Sequence, residues 1–184
     1  MSKEILEVLD EEGNDTGETK ERGRIHQKEL YHPVADVWIY NREGELLMQK
    51  RSQNKDIRPQ HWGASAAGHI RAGEDPTKEA IREVKEELGI DIEESDLEYV
   101  GFYKNDLPIP DTDRVDREFS HTFLLEWNKA ASEFEPDSYE VDKVRFFPIE
   151  ELYNDFTSEN PERKYTPSGE YLKMVLDNVK DRLL

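Results

Sequence analysis

The sequence predicts a single mixed α/β domain, on three observations. Strand-like and helix-like segments alternate along its 184 residues. That length suits one ordinary core and is short for two. The hydrophobic periodicity also switches cleanly between a period near two and one near 3.6. The periodicity is what argues for a fold at all. Only 35% of residues are apolar and 37% are charged, and chains that poor in core residues often remain unfolded.

Taken in order, the first 22 residues read as a polar hairpin. Ile5, Leu6, Val8 and Leu9 precede a turn rich in Gly13, Asn14, Asp15 and Gly17, and Glu18 to Arg22 return. Residues 34–40 are largely β-branched or aromatic. The turn Asn41-Arg42-Glu43-Gly44 leads from them into a second strand over 45–50. Residues 52–62 form a polar loop. The small run Gly63-Ala64-Ser65-Ala66-Ala67-Gly68 admits close approach of another element. Asp75 and Pro76 mark the cap and first turn of a helix that Gly89 ends. Strands over 97–103 and 118–127 follow, separated by a mobile loop holding Pro108, Pro110 and acidic residues between Asp106 and Asp116. A strand over 141–147, a short helix over 148–156 and a terminal helix over 168–184 complete the chain. Tyr171, Leu172, Val175, Leu176 and Val179 share one face of the last helix. The acidic stretch 133–142 reads as a solvated loop, and neither an internal repeat nor a low-complexity segment interrupts the pattern.

Charge and composition exclude several functions. Twenty-five Lys and Arg against 43 Asp and Glu leave −18, which repels nucleic-acid backbones and anionic membrane surfaces. Zero cysteines remove disulfides, thiolate metal sites and a cysteine nucleophile, and fit a reducing compartment. No apolar run approaches the ~18 residues of a membrane span. Met1-Ser2-Lys3-Glu4 lacks the basic and apolar regions of a secretory signal, so a cytoplasmic location is expected.

The helix after Asp75 concentrates the chemistry. At about 100° per residue, Ala80, Ile81, Val84 and Leu88 form an apolar stripe. Glu79, Glu83, Glu86 and Glu87 border it, while Lys78, Arg82 and Lys85 occupy another sector. Like charges four apart cost about 0.2–0.5 kcal/mol per pair, and a bound cation reverses that penalty. Carboxylate oxygens suit Mg²⁺ that also takes phosphate oxygens from a substrate. An acidic amphipathic helix without any ion is the plain alternative.

From Gly68 the chain reads five residues, Glu74, seven residues, Arg82-Glu83-Val84, one residue, Glu86-Glu87, one residue, Gly89 and Ile90. This spacing resembles the complete Nudix box. The resemblance implies an α/β/α sandwich with a mixed sheet and hydrolysis of a diphosphate joined to another group, X. It also implies Mg²⁺, with Mn²⁺ a substitute, on Glu83, Glu86, Glu87 and the Gly68 carbonyl, with Arg82 and Glu74 orienting the cluster. Glu118 and the box glutamates compete as the base that takes the proton from water.

A finer resemblance lies in Gln49-Lys50-Arg51-Ser52, Lys55, Pro59, Trp62, Ala67-Gly68-His69 and Asp116-Arg117-Glu118, which together are similar to the isopentenyl diphosphate isomerase branch. It implies that Arg51 and Lys55 bind diphosphate. It also implies that His26, His32 and His69, with Asp116 and Glu118, hold a second metal, for which imidazole and carboxylate suit Zn²⁺ or Mn²⁺. The isomerase cysteine is replaced by Ala67 and the box is intact, so hydrolysis of a nucleoside-diphosphate-type metabolite is the leading function. An isomerase-like enzyme and a non-catalytic ligand sensor are the alternatives. Trp62, Phe102, Tyr103 and Phe119 read as core with base stacking as the other option, and His121 as structural. The expected partner is a small-molecule diphosphate, with no nucleic acid or membrane. Monomer and homodimer both remain open.

Overall fold

A computed structural model of the chain describes residues 4–184, so the first three residues of the predicted hairpin lie outside the described residues. The hairpin itself forms, as β1 (Ile5–Leu9) and β2 (Asp15–Glu21), an antiparallel pair separate from the main sheet. Its turn is closed by Asp10, whose Oδ1 accepts from the backbone N–H of Glu12 and Asn14 at 2.9 and 2.8 Å. A helix the sequence reading missed, α1 (Arg22–Gln27), follows directly. Six residues are too few to show a helical period. One side chain anchors it: Ile25 is fully buried and packs with Leu6 and Val8.

The next hairpin joins β3 (His32–Tyr40) to β4 (Glu45–Arg51) as read from the sequence. Asn41 shapes its turn, its side-chain oxygen accepting from the N–H of Glu43 and Glu45, both at 3.0 Å. The small-residue run becomes β5 (Trp62–Gly63) and β6 (Ala66–His69). Then come α2 (Pro76–Leu88), β7 (Leu97–Pro108), β8 (Val115–Glu126), β9 (Val141–Pro148), α3 (Ile149–Phe156) and α4 (Gly169–Leu183). Both ends of the segment read as a mobile loop between Asp106 and Asp116 are strand. Only residues 109–114 turn, because Asp106 pairs across from Arg117 and Arg58 donates to the carbonyls of Leu107 and Pro108, both at 2.7 Å. Pro108 is tolerated there because β7 is an edge strand.

The main sheet runs β5-β4-β3-β8-β7, with β6 added to β3 and β9 to β4. β3 and β8 are parallel and the other pairs antiparallel, so the sheet is mixed. Helix α2 covers one face, setting Ala80, Val84 and Leu88 on Ala35, Val37, Ile39 and Phe123. Val84, Leu88, Val37, Ile39 and Phe123 each contribute roughly 1.5–3 kcal/mol on full burial. On the opposite face α3 and α4 set Leu152, Leu172, Val175 and Val179 on Trp38, Tyr40, Met48 and Leu124. This is the expected α/β/α arrangement. Among the described residues no helix is long and apolar enough to cross a membrane.

One irregularity positions the site. β3 pairs with β6 along Val34–Val37 but with β4 only at Ile39 and Tyr40, so β4 and β6 part like a fork on the same side of β3. Ser65 sits in the crotch, its hydroxyl accepting from Ile39 N–H at 2.8 Å and donating to the Leu47 carbonyl at 2.5 Å.

Candidate active site

Helix α2 begins and ends where its caps require. Asp75 Oδ1 accepts from the N–H groups of Thr77 and Lys78 at 2.9 and 3.2 Å, and Gly89 takes the left-handed conformation at φ 72°. The acidic residues divide by depth. Glu79 and Glu87 are buried, and the Glu83 side chain is 12% exposed against 57% for Glu86. Ile81, placed in the apolar stripe by its angle, is only half-buried. The predicted separation of charges by sign does not hold either. Arg82 is long enough to reach across the helix, and it pairs with Glu79, with Glu83 at 2.9 Å and with Glu86 at 3.1 Å.

Gly68 explains the small-residue run. A Cβ there would overlap the Glu83 carboxylate, so only glycine lets β6 and this side chain meet. Glu87 spans the fork, its Oε2 accepting from Gln49 Nε2 on β4 at 2.8 Å and from Ala67 N–H on β6 at 3.0 Å. Burial, with Glu87 alongside, pushes the Glu83 pKa up to about 8. Burial also raises Glu87, against the opposing pull of the Ala67 N–H and Lys55. Paired carboxylates whose charge the fold disfavours are a donor set that a hard divalent cation completes. Glu74 is exposed, and among the described residues no side-chain hydrogen bond or ion pair ties it to the cluster.

Two cations approach the same place. Arg51, at the end of β4, donates from Nε and Nη2 to the Ile57 carbonyl at 3.2 and 2.9 Å. Lys55 pairs with Glu140. Burial lowers the pKa of both, while Glu87 draws both upward and Glu118 adds to that pull on Arg51. Glu118 is delivered by parallel pairing, opposite His32. Burial, with Asp116 and Asp36 nearby, holds its carboxyl well above the ordinary range.

The three histidines also converge. Their ring centroids lie 5.0–5.2 Å apart, and ligand atoms of His26, His32 and His69 all fall within 4.8 Å of one another. His32, Asp116 and Glu118 meet the same criterion. His26 arrives on the unforeseen α1. His32 Nδ1 faces the Leu30 carbonyl at 3.0 Å and His26 Nδ1 the Arg22 carbonyl at 2.8 Å, so each Nδ1 carries the hydrogen. Each Nε2 is left for partners other than the backbone. That of His32 is buried without a partner, and that of His26 confronts Asp116 Oδ1 at 3.5 Å. Burial lowers the His32 pKa to about 4 and that of His69 well below the ordinary value. His32, whose charged form burial disfavours, together with Asp116 and Glu118 is a donor set that suits a cation. Arg58, unremarked in the sequence, lies 3.8 Å from the other Asp116 oxygen.

The remaining candidates are dispersed. Trp62 packs edge-on against Phe147 at 4.9 Å, and Phe119 is buried beneath the half-exposed Phe102 at 5.0 Å. Tyr103 is half-buried beside Tyr171 at 5.9 Å. His121 stands apart, 3.2 Å from the Tyr99 hydroxyl. Asp36 was missed, and Gln49 was named without its role as a partner of Glu87. A lone acid inside an otherwise apolar strand was the available signal for Asp36.

Comparison with known proteins adds an independent line. The model of the NUDIX domain matches residues 30–168. The chain is 33% identical over 186 residues to Nudix hydrolase 3 of Arabidopsis thaliana, covering 99% of this chain but only 24% of that protein. It is also 33% identical over 149 residues to an isopentenyl-diphosphate Delta-isomerase of Streptomyces avermitilis, covering 80% of this chain and 73% of that protein. A crystal structure of a Deinococcus radiodurans protein superposes with a TM-score of 0.67 at 18% identity, covering 93% of this chain and 98% of that one.

Proposed function

This chain belongs to the Nudix family, and from that premise we propose that it is a metal-dependent hydrolase cleaving the diphosphate linkage of a small nucleoside-diphosphate-type metabolite. The observation that carries this reading is the intact glutamate set of α2 gathered against Gly68 at the β4/β6 fork. Glu83, Glu86, Glu87 and the Gly68 carbonyl are the residues that would hold Mg²⁺, or Mn²⁺ in its place. When bound, the ion neutralises diphosphate oxygens and lowers the pKa of a water.

The rest falls to the chain's own groups. Arg82 fixes Glu83 and Glu86 through its two charged contacts. Arg51 and Lys55 take the phosphate oxygens that face away from the glutamates, Arg51 with its planar fork. Water attacks phosphorus, the bond to the bridging oxygen breaks, and a carboxylate accepts the proton. Glu118 and the box glutamates are the candidates for that last role.

Mass-spectrometric screening of nucleoside diphosphate derivatives, dinucleoside polyphosphates and isopentenyl diphosphate, with and without Mg²⁺, tests the reading. Cleavage is expected only with metal and is lost in Glu87→Gln. Metal-loaded, folded protein that binds a diphosphate without cutting it would establish a ligand sensor instead.

A second reading has its own observation, the convergence of ligand atoms of His26, His32 and His69 and of His32, Asp116 and Glu118. His26, His32, His69, Asp116 and Glu118 are suited to Zn²⁺ or Mn²⁺. Elemental analysis of purified protein is expected to find one such ion per chain, and none in His32→Ala. Isomerisation of the kind named for the Streptomyces relative is disfavoured, because Ala67 offers no proton and the chain holds no thiol.

A further inference from the structure

The face of the sheet opposite α2 holds a carboxyl that the hydrolytic reading leaves unused. Asp36 lies in the middle of β3, directly across from Ala67 on β6 and Thr122 on β8. Side chains of directly opposed residues share a face, so Asp36 stands with Ala67 and Thr122 above the α4 side. Its strand neighbours Ala35 and Val37 point the other way, into the α2 core.

Asp36 is held from behind. Tyr171 of α4 donates its hydroxyl to Asp36 Oδ2 at 2.9 Å. With its one hydrogen so placed, the Tyr171 oxygen has Thr122 Oγ1 at 2.6 Å and Trp38 Nε1 at 3.5 Å as its donors. Ser120 accepts from Asn105 Nδ2 at 2.9 Å, which frees its own hydrogen for Asp36. Tyr171, Ser120, Thr122 and Trp38 are all buried. Two donors occupy only about half of the four or so acceptor positions of a carboxyl group.

In front, Asp36, Ala67, His69, Tyr103 and Glu118 each keep partial solvent exposure, while Val34 and Ser120 are buried. Ala67 lies between the glutamate site and Asp36, its N–H donating to Glu87 while its side chain shares a face of the sheet with Asp36. To reach Asp36, the substituent of a diphosphate held at Glu83 and Glu87 would cross the sheet at β6, which among the described residues pairs only with β3.

We propose that Asp36 is a specificity-determining residue that accepts hydrogen bonds from hydroxyls of the substrate's X group, selecting polyol- or ribose-like diphosphates over hydrocarbon-tailed ones. The inference rests on the hydrolase reading for the position of the diphosphate. Selection follows from asymmetry. A hydroxyl fills the unused acceptor positions, whereas a hydrocarbon displaces their water and returns nothing. Sites built to pair a substrate hydroxyl discriminate far more strongly than apolar pockets that differ by a methylene. The Tyr171 ring of contacts keeps the acceptor in place before substrate arrives, so little ordering is lost on binding.

The test compares wild type, Asp36→Asn and Asp36→Leu on a nucleoside diphosphate sugar and on isopentenyl diphosphate. Hydrolysis is read as kcat and KM with Mg²⁺, and binding of both compounds is read by calorimetry. Wild type is expected to bind the sugar compound at least about tenfold more tightly. Asp36→Leu loses that margin mainly through KM, and Asp36→Asn, which keeps an acceptor oxygen, retains most of it. Circular dichroism establishes that the leucine variant folds, and the isosteric Asn variant stands if it does not. Equal binding of the two compounds by wild type overturns the proposal, as does an equal loss for both in a folded Asp36→Leu. Preferential binding without any cleavage would overturn the hydrolase reading and leave the role of Asp36 standing.

Discussion

On the α2 face of the main sheet, carboxylates crowd together with too few donors. On the α4 face the Asp36 carboxyl is backed by donors in ordered ranks. Glu83 and Glu87 share a buried space with Glu79 beneath Arg82, and the Glu83 pKa stands at about 8. Asp36 has Tyr171 and Ser120 against it, and behind Tyr171 stand Thr122 and Trp38. The first arrangement gains from an added cation. The second is complete at the rear and gains only from something that approaches its front. The two meet at Ala67, and the proposed reading assigns a diphosphate and its substituent to different faces of one sheet.

Glu87→Gln separates these roles most sharply. It removes charge held for the metal, and turnover should fall by at least about two orders of magnitude. In chelator-treated protein the same change relieves like-charge crowding, while the amide oxygen can still accept from Ala67 N–H. Stability should then rise by about 0.5–2 kcal/mol, within the range of surface-charge and active-site replacements. Urea denaturation with EDTA measures it. A stability loss in the metal-free protein would mean that Glu87 is a structural partner of Gln49 and Ala67 rather than a strained ligand.

Gly68→Ala comes next. Its methyl must push the Glu83 carboxylate aside. Misplacing a ligand or its support typically costs about 10–100-fold in metal affinity or activity, and the crowding itself costs about 1–3 kcal/mol. Titration with Mn²⁺ followed by electron paramagnetic resonance reads the first effect without needing a substrate. Unchanged Mn²⁺ affinity would remove Gly68 and Glu83 from the proposed site.

Much of the α2 face was legible because local rules write it. Asp75-Pro76 and Gly89 set the helix ends, and Ala80, Val84 and Leu88 repeat at helical spacing. What the wheel could not supply was reach. It gives each residue an angle, and Arg82 crosses from its own sector to three glutamates because its side chain is long. Ile81 was misjudged for a related reason, since an angle does not say how deeply the helix docks. The α4 face was much less legible. Asp36, Asn105, Ser120, Thr122 and Tyr171 come from four elements, and no spacing in the sequence links them. The histidine cluster shows the mixed case: His26, His32 and His69 were named through a family resemblance, while α1, which carries His26, has no period to read.

Tyr171→Phe tests the complete side of the comparison. It deletes the donor to Asp36 Oδ2 and the acceptor for Thr122 and Trp38 while leaving the ring packing intact. Buried groups left unpaired cost about 1–3 kcal/mol, and for a chain of this size each kcal/mol lowers Tm by roughly 2–4 °C. Calorimetry should find that loss with Mn²⁺ affinity unchanged, because the glutamate cluster lies beyond the sheet. A drop in Mn²⁺ affinity equal to that of Gly68→Ala would show that the two faces are one mechanical unit.

The smallest effect belongs to the rim of the same helix. Arg182 pairs with Glu98 of β7 and donates from Nη1 to the Asn178 carbonyl at 2.6 Å, but Glu98 is 56% exposed and its charge is already well solvated. Exposed ion pairs contribute about 0.2–1 kcal/mol and fade with salt. Arg182→Gln should therefore shift the urea midpoint barely at all, and 1 M NaCl should erase what shift there is. If it matched Tyr171→Phe, position on α4 rather than burial of the polar group would set the cost. The contrast between a ring of buried donors and a solvated pair would then lose its meaning on this face.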